Sequence, residues 1–248
     1  MFRQLLFGAV LTGLVFSSVS AQAPPLVPVT GWKPVYKEPY PTAIFNWTPR
    51  AKYHDAAVIV RAGSAGGSGT QFVCGELAGV LTARHVVSGS SRAMVRYADG
   101  KQLQGDVLVA SGDADVAYIA VYNPDAPHVH IAPQAPAVGA WTETFGFGGP
   151  KDTLRHFSGR VLRHSGTTTY YSQSVLNGDS GGGILDKNRE LVGVNSFGTG
   201  PGADGAIAYY KDWPIYADSG SAHHSQIKAF VGRLCQRFGR RARWGGFG

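Results

Sequence analysis

From Ala56 onward the chain is divided into short apolar runs, each bounded by Gly, Asp or Asn: 56–61, 78–83, 93–98, 105–110, 116–121, 156–163, 191–197 and 205–210. Runs this brief, rich in Val, Ile and Tyr, read as strands, and their recurrence between turn residues points to a β-sandwich or barrel. Composition agrees with a turn-rich β protein. Of 248 residues, 34 are Gly and 14 Pro, with 44% hydrophobic and 16% charged. These values exclude a disordered chain and a coiled coil. Two cysteines make neither a disulfide framework nor a tetrathiolate zinc site. No internal repeat is evident.

The two ends differ from this body. Met1 to Gln4 carries one positive charge, Leu5 to Phe16 is apolar, and Val19-Ser20-Ala21 suits cleavage, so residues 1–21 read as a secretory signal peptide. The leader predicts a secreted or periplasmic protein, and an oxidising compartment in which Cys74 and Cys235 could pair. Residues 22–55 form a proline-dense arm in which few regular elements can form. A barrel region spans 56–224 and a helix with a basic tail 225–248. Ile227, Phe230, Val231, Leu234, Cys235 and Phe238 fall on one helical stripe, with Ser225 as its expected cap and His223-His224 in an exposed turn before it.

The net charge of +7 is not spread over the molecule. Lys228, Arg233, Arg237, Arg240, Arg241 and Arg243 crowd the C-terminal segment, where there is no acid, and bases balance acids elsewhere. Nucleic acid is therefore not an expected partner; the tail offers at most an accessory contact to anionic surfaces. No cofactor is implied. Gly63 to Thr70 lacks the Lys-Ser/Thr of a phosphate cradle and reads as a loop between strands. His128 and His130 share one strand face but lack a third ligand nearby, so no metal is expected.

Three segments carry chemistry. Gly178-Asp179-Ser180-Gly181-Gly182 places a serine on a glycine-flanked turn, where its oxygen can stand beside converging backbone amides. Thr82-Ala83-Arg84-His85 puts a histidine directly after an apolar strand, and Asp115-Val116-Ala117 puts an aspartate at the start of another. Each alone has an ordinary structural explanation. Together they give the order His, Asp, Ser. Asp113 is the alternative acid, but it lacks the following Val-Ala.

On these segments the chain resembles a chymotrypsin-fold, trypsin-like serine protease of the compact bacterial type that includes the HtrA protease domain. Gly66-Gly67-Ser68-Gly69 and Val194-Asn195-Ser196-Phe197-Gly198 extend the match over about 56–212. The segment after it is too short for the PDZ domain of HtrA proteins. The resemblance implies two six-stranded antiparallel β-barrels with the site in the cleft between them, and a peptide or protein substrate. It implies Ser180 as nucleophile, His85 as general base and acid, and Asp115 as the group that orients the imidazole. It implies an oxyanion hole at the Gly178 and Ser180 amides, Ser196 behind the aspartate, and residues 196–198 as the strand that pairs with substrate. It also implies a pocket floor at Ser174, with Asn195 beside it. Without an Asp at 174, small or apolar side chains before the cut are expected.

One departure matters physically. No Ile-Val-Gly-Gly terminus precedes the barrels to pair with Asp179, so this carboxylate needs another partner. Arg155, Arg160 and Arg163 are the candidates. Two further readings compete with a general protease: a catalytically silent binding protein of the same fold, and a processing enzyme of narrow specificity.

Overall fold

The computed structural model describes residues 52–74, 77–109, 114–123, 125–148, 154–199, 208–210, 213–216 and 218–238. The expected leader, most of the arm, Asp113 and the tail beyond Phe238 lie outside them. A single 3-10 turn, Lys52–Ala56, leads into the first strand.

Six strands close into a barrel: β1 (Ala57–Ala62), β2 (Ala65–Cys74), β3 (Leu77–Thr82), β4 (Arg92–Arg96), β5 (Gln102–Val109) and β6 (Ala117–Ala120). Their order is β1-β2-β3-β6-β5-β4, and β1 pairs antiparallel with β4 to complete the ring. Val58, Val60, Val80, Val95 and Ile119 share its inner face and are wholly inaccessible, while Phe72 and Leu81 are buried on the opposite face. Alternation of inward apolar residues along each strand produces this interior.

The second half comprises β7 (Trp141–Gly146), β8 (Arg155–Ser165), β9 (Thr168–Tyr171), β10 (Val175–Leu176), β11 (Gly183–Asp186), β12 (Leu191–Val194), β13 (Phe197–Thr199), β14 (Ala208–Tyr210), β15 (Trp213–Tyr216) and β16 (Asp218–Ala222). Its strands divide between a seven-stranded sheet, β12-β11-β7-β8-β9-β16-β13, and a three-stranded one, β10-β15-β14. The all-β class with a chymotrypsin-like double-barrel plan is as the sequence leads one to expect. Helix α1 (His224–Phe238) lays Ile227, Phe230, Val231 and Leu234 into the core. The expected stripe is the buried face. Cys235 on that stripe is disulfide-bonded.

Two expectations are corrected. The Gly63–Thr70 segment is not a loop: after a tight turn at Gly63 (φ 60°) it is the first part of β2, paired with β1 from Ala62↔Ala65 to Ala57↔Thr70. Its glycines occupy crowded positions. A β-carbon on Gly67 would stand 2.7 Å from the Ser180 carbonyl, and one on Gly69 would meet Val80 and Val60. The second correction concerns the helix start. His224 lies within α1, is 3% exposed and donates from Nε2 to Ala132 O at 2.9 Å. Ser225 does not cap: the His223 Nδ1, 2.7 Å from Ser225 Oγ, and the His223 carbonyl, accepting from Gln226 and Ile227, form the helix start.

Candidate active site

The three expected chemical residues come from three different connections. His85 sits on a 3-10 turn, Arg84–Val87, just beyond β3. Asp115 lies just before β6, and Ser180 lies on the turn between β10 and β11. Because β3 and β6 are neighbours in the barrel, paired through Thr82↔Ala117, the ends that carry His85 and Asp115 are brought together. His85 Nδ1 is 2.7 Å from Asp115 Oδ2, and the His85 amide donates to Asp115 Oδ1 at 2.9 Å. An ionised carboxylate only accepts, so Nδ1 carries a proton, and in the neutral ring Nε2 is the nitrogen with the free lone pair. Burial pushes the Asp115 carboxyl up. The His85 side chain and amide, with a hydrogen bond from Ser196, outweigh this and hold it below the ordinary carboxylate value. The Ser196 hydroxyl lies between two acceptors, this carboxylate and Val194 O at 3.2 Å, and serves one at a time.

His85 and Ser180 line one cleft of about 290 Å³, with Val175, Leu176, Asn177 and Tyr216 on its walls. Asn195, Ser196, Phe197 and Gly198 complete it. Ser174 is buried and is not among the lining residues; the three residues after it are. β13 ends the seven-stranded sheet, pairing with β16 through Phe197↔Gly220.

The serine turn depends on two glycines at positive φ, Gly178 at 99° and Gly181 at 90°, where other residues are strained. Its amides are partly committed: Asp179 N donates to Leu176 O, Gly181 N to Asn195 O and Gly182 N to Asp179 O. Among the described residues, the Gly178 and Ser180 amides have no hydrogen-bond partner.

Asp179 is 1% exposed and Arg155, the buried cation beside it, is 0% exposed, with Nη2 3.7 Å from Oδ1. Gly148 N donates to Oδ1 at 2.7 Å and Leu176 N to Oδ2 at 2.8 Å. Burial raises the Asp179 pKa, and Arg155 and the two amides work against that rise. Of the three candidate arginines, Arg155 is the partner. Arg160 Nη1 donates to Gly139 O, and Arg163 stacks over the Tyr170 ring.

Ser68 on β2 was not singled out by the chemistry of its residue type, yet it fastens the turn. Its amide donates to Ser180 O at 2.8 Å and its hydroxyl to Gly178 O at 2.7 Å, while it accepts from Phe147 N at 2.8 Å. Thr82 Oγ1 in turn donates to Ser68 O at 2.7 Å. The only sequence signal is the Gly-Gly-Ser-Gly string itself. His128 and His130 are both exposed, with ring centroids 5.5 Å apart.

Two solved structures share this architecture. The Rv3671c protease of M. tuberculosis, in an inactive form, matches with a TM-score of 0.59 at 20% identity, over 78% of this chain and 95% of its own. The serine endoprotease from Yersinia pestis matches with a TM-score of 0.56 at 17% identity, over 75% and 64%. At such identities they establish the fold: a chymotrypsin-like serine-protease scaffold. The family model described as a trypsin-like peptidase domain matches residues 67–194, and the chain belongs to that family. Among curated relatives, the periplasmic pH-dependent serine endoprotease DegQ of Escherichia coli K12 is 27% identical over 137 residues, 50% of this chain and 29% of DegQ. A probable periplasmic DegP-like endoprotease of Pseudomonas putida is 29% identical over 136 residues, 52% and 28%. The chain thus matches less than a third of the length of these relatives.

Proposed function

We propose that the chain is an exported serine endopeptidase that hydrolyses peptide bonds through an acyl-enzyme. The observation that carries this reading is the 2.7 Å contact of His85 Nδ1 with Asp115 Oδ2, in the cleft that Ser180 lines. His85 Nε2 takes the Ser180 hydroxyl proton as Oγ attacks the scissile carbonyl. The carbonyl oxygen gains the charge, and the Gly178 and Ser180 amides stabilise it. The imidazolium, steadied by Asp115, then gives its proton to the leaving amine. Water repeats the sequence on the ester and releases the acid. The free edge of β13 takes the substrate backbone as an added strand. Export rests on the leader at 1–21 and on relatives named as periplasmic; among the described residues no helix is long and apolar enough to cross a membrane.

The test is a fluorophosphonate probe applied to native protein, Ser180→Ala and heat-denatured protein. Labelling of the native wild type alone supports the reading. Absence of labelling in folded protein removes it and returns the silent binding protein. Cleavage of unfolded casein by labelled enzyme separates a general protease from a narrow processing enzyme.

A further inference from the structure

We infer that the side chains of Phe197 and Tyr170 form a shelf beside the cleft that selects apolar side chains on the second and fourth substrate residues before the cut, the residue with the scissile carbonyl being the first. The inference rests on the proposed peptidase reading and names the substrate class of that same site: peptides with apolar residues at alternate positions.

The shelf is one cross-strand row. Phe197 on β13 is paired with Gly220 on β16, Gly220 with Tyr170 on β9, and Tyr170 with Arg163 on β8. Residues directly opposite one another share a face of the sheet. Gly220 has no side chain, and the Phe197 ring lies across it; a β-carbon there would collide with Phe197 Cζ. The ring thereby reaches Tyr170, edge to face, with centroids 5.9 Å apart. The Arg163 guanidinium covers the Tyr170 ring at 3.7 Å from its centroid, and the attraction of cation and ring holds Tyr170 in place. The row is open to solvent. Arg163 is exposed and Tyr170 half-buried. Phe197 is 38% exposed, a large apolar side chain kept at the surface beside the cleft it lines.

Strand geometry decides which substrate residues meet this row. β13 is the last strand of its sheet, in which every pairing is antiparallel. Ser196, one residue before β13, hydrogen-bonds to Asp115, so this is the end of the strand beside His85. A substrate strand added antiparallel, with its scissile carbonyl at that end, sets its first residue opposite Ser196 and its second opposite Phe197. The third then lies opposite Gly198 and the fourth opposite Thr199. The second shares the face of Phe197 and the fourth is its diagonal neighbour there, both within reach of an aromatic ring. The first and third point to the other face, where Tyr216 of the cleft fills the place of a Gly198 side chain. Covering about 50 Å² of apolar surface is worth about tenfold in binding, and a polar side chain laid on the same rings gains none of it.

The test uses internally quenched peptides of one parent sequence. In the first pair the second and fourth residues are both Leu or both Gln; in the second pair only the third residue is exchanged. Wild type should favour Leu by about 10-fold in kcat/KM in the first pair and by less in the second. Phe197→Ala should bring the first ratio to about twofold or below and leave the second as it is. Gly220→Ala, which pushes the ring off its seat, should lower the first ratio as well. Each ratio is taken within one preparation, so the folded fraction cancels, and the wild-type ratios decide the matter even if the variants do not fold. Fluorophosphonate labelling is measured in parallel. Labelled wild type whose first ratio does not exceed its second, or that cleaves none of the peptides, overturns the shelf and leaves Ser180 as nucleophile. So does Phe197→Ala that keeps the first ratio or loses both alike. Absence of labelling overturns both the shelf and the peptidase reading.

Discussion

Replacing Arg155 by Met keeps an unbranched side chain of similar reach and deletes the guanidinium 3.7 Å from Asp179 Oδ1. The amides of Gly148 and Leu176 still donate, but the buried carboxylate must stay ionised without its cation or take up a proton. Protonation caps the penalty. From the ordinary value of 3.8, holding a carboxyl neutral at pH 7 costs about 4 kcal/mol. Removing one member of a buried pair costs about 3–5 kcal/mol, and a separation beyond hydrogen-bond length favours the lower end, about 3 kcal/mol. In a domain of this size that lowers Tm by about 6–12 °C. The pH dependence has a definite sign. Without Arg155 the folded-state pKa of Asp179 lies further above its unfolded value. The native state then keeps a proton that the unfolded chain releases, so stability falls as pH rises through that window. The deficit relative to wild type is greatest near neutrality and shrinks as pH falls toward the unfolded value. Urea unfolding of both proteins at pH 5, 6, 7 and 8 measures it. A deficit equal at every pH would refute the charge argument and assign the loss to packing. Labelling of Ser180 should fall with stability, because Asp179 ties Leu176 and Gly148 to the serine turn.

Asp115→Asn should leave the fold intact and reduce kcat by about 10⁴, since an amide at this position does not hold the imidazole tautomer; steady-state kinetics on a cleavable peptide measure it. Gly181→Ala forces a β-carbon into Ser68 O and Thr82 Oγ1 at a φ of 90°, and should abolish labelling and lower Tm in a thermal melt. Burial lowers the His224 pKa below 6.5 despite its hydrogen bond to Ala132 O, so the folded state resists a proton that the unfolded chain accepts. Stability is therefore lost as pH falls below 6.5, and His224→Gln, which keeps a donor, should flatten that dependence in urea titrations at pH 5 and 7. Ser68→Ala should reduce kcat by about 10-fold or more in the same peptide assay, with a smaller relative effect on KM, by freeing the Gly178 carbonyl and the Phe147 amide.

Each of the eight apolar runs overlaps a strand, because short stretches of Val, Ile, Leu and Tyr between turn residues suit a pleated, buried surface. That His85 meets Asp115 beside the cleft that Ser180 lines was expected for a different reason: the three motifs pair particular residue types with particular backbone turns. β2 was not legible. Its glycines look like loop residues, and their cause, the close approach of Arg61, Val86 and the Ser180 carbonyl, exists only once the barrel has closed. His224 misled for a related reason, since its partner Ala132 O is far away in sequence. Among the arginines of β8, residue parity cannot distinguish Arg155 from Arg163. The irregularity between Val161 and Arg163 breaks the alternation, leaving Arg155 inside and Arg163 over Tyr170.

The serine turn cannot hold its geometry through its own sequence. Gly178 and Gly181 permit positive φ but do not impose it, and glycine pays the largest backbone entropy for being fixed. The fixing comes from outside the pentapeptide, on two sides. Ser68, from the first barrel, holds the carbonyls of Ser180 and Gly178. Asp179, held by Arg155, grips the amides of Leu176 and Gly148 in the second. The Gly178 carbonyl shares a peptide plane with the Asp179 amide and the Ser180 carbonyl with the Gly181 amide, so Ser68 fixes the peptides on either side of the one that carries the Ser180 amide. The peptide that carries the Ser180 amide is itself held at its other end, where Asp179 O accepts from Gly182 N. The same coupling explains why the site requires both halves of the fold: His85 and Asp115 are set by barrel pairing, while the serine turn is set by a clasp from each side. A chain that retained the three chemical residues but lost Ser68 or Arg155 would keep the motif and lose the preorganisation on which its chemistry depends.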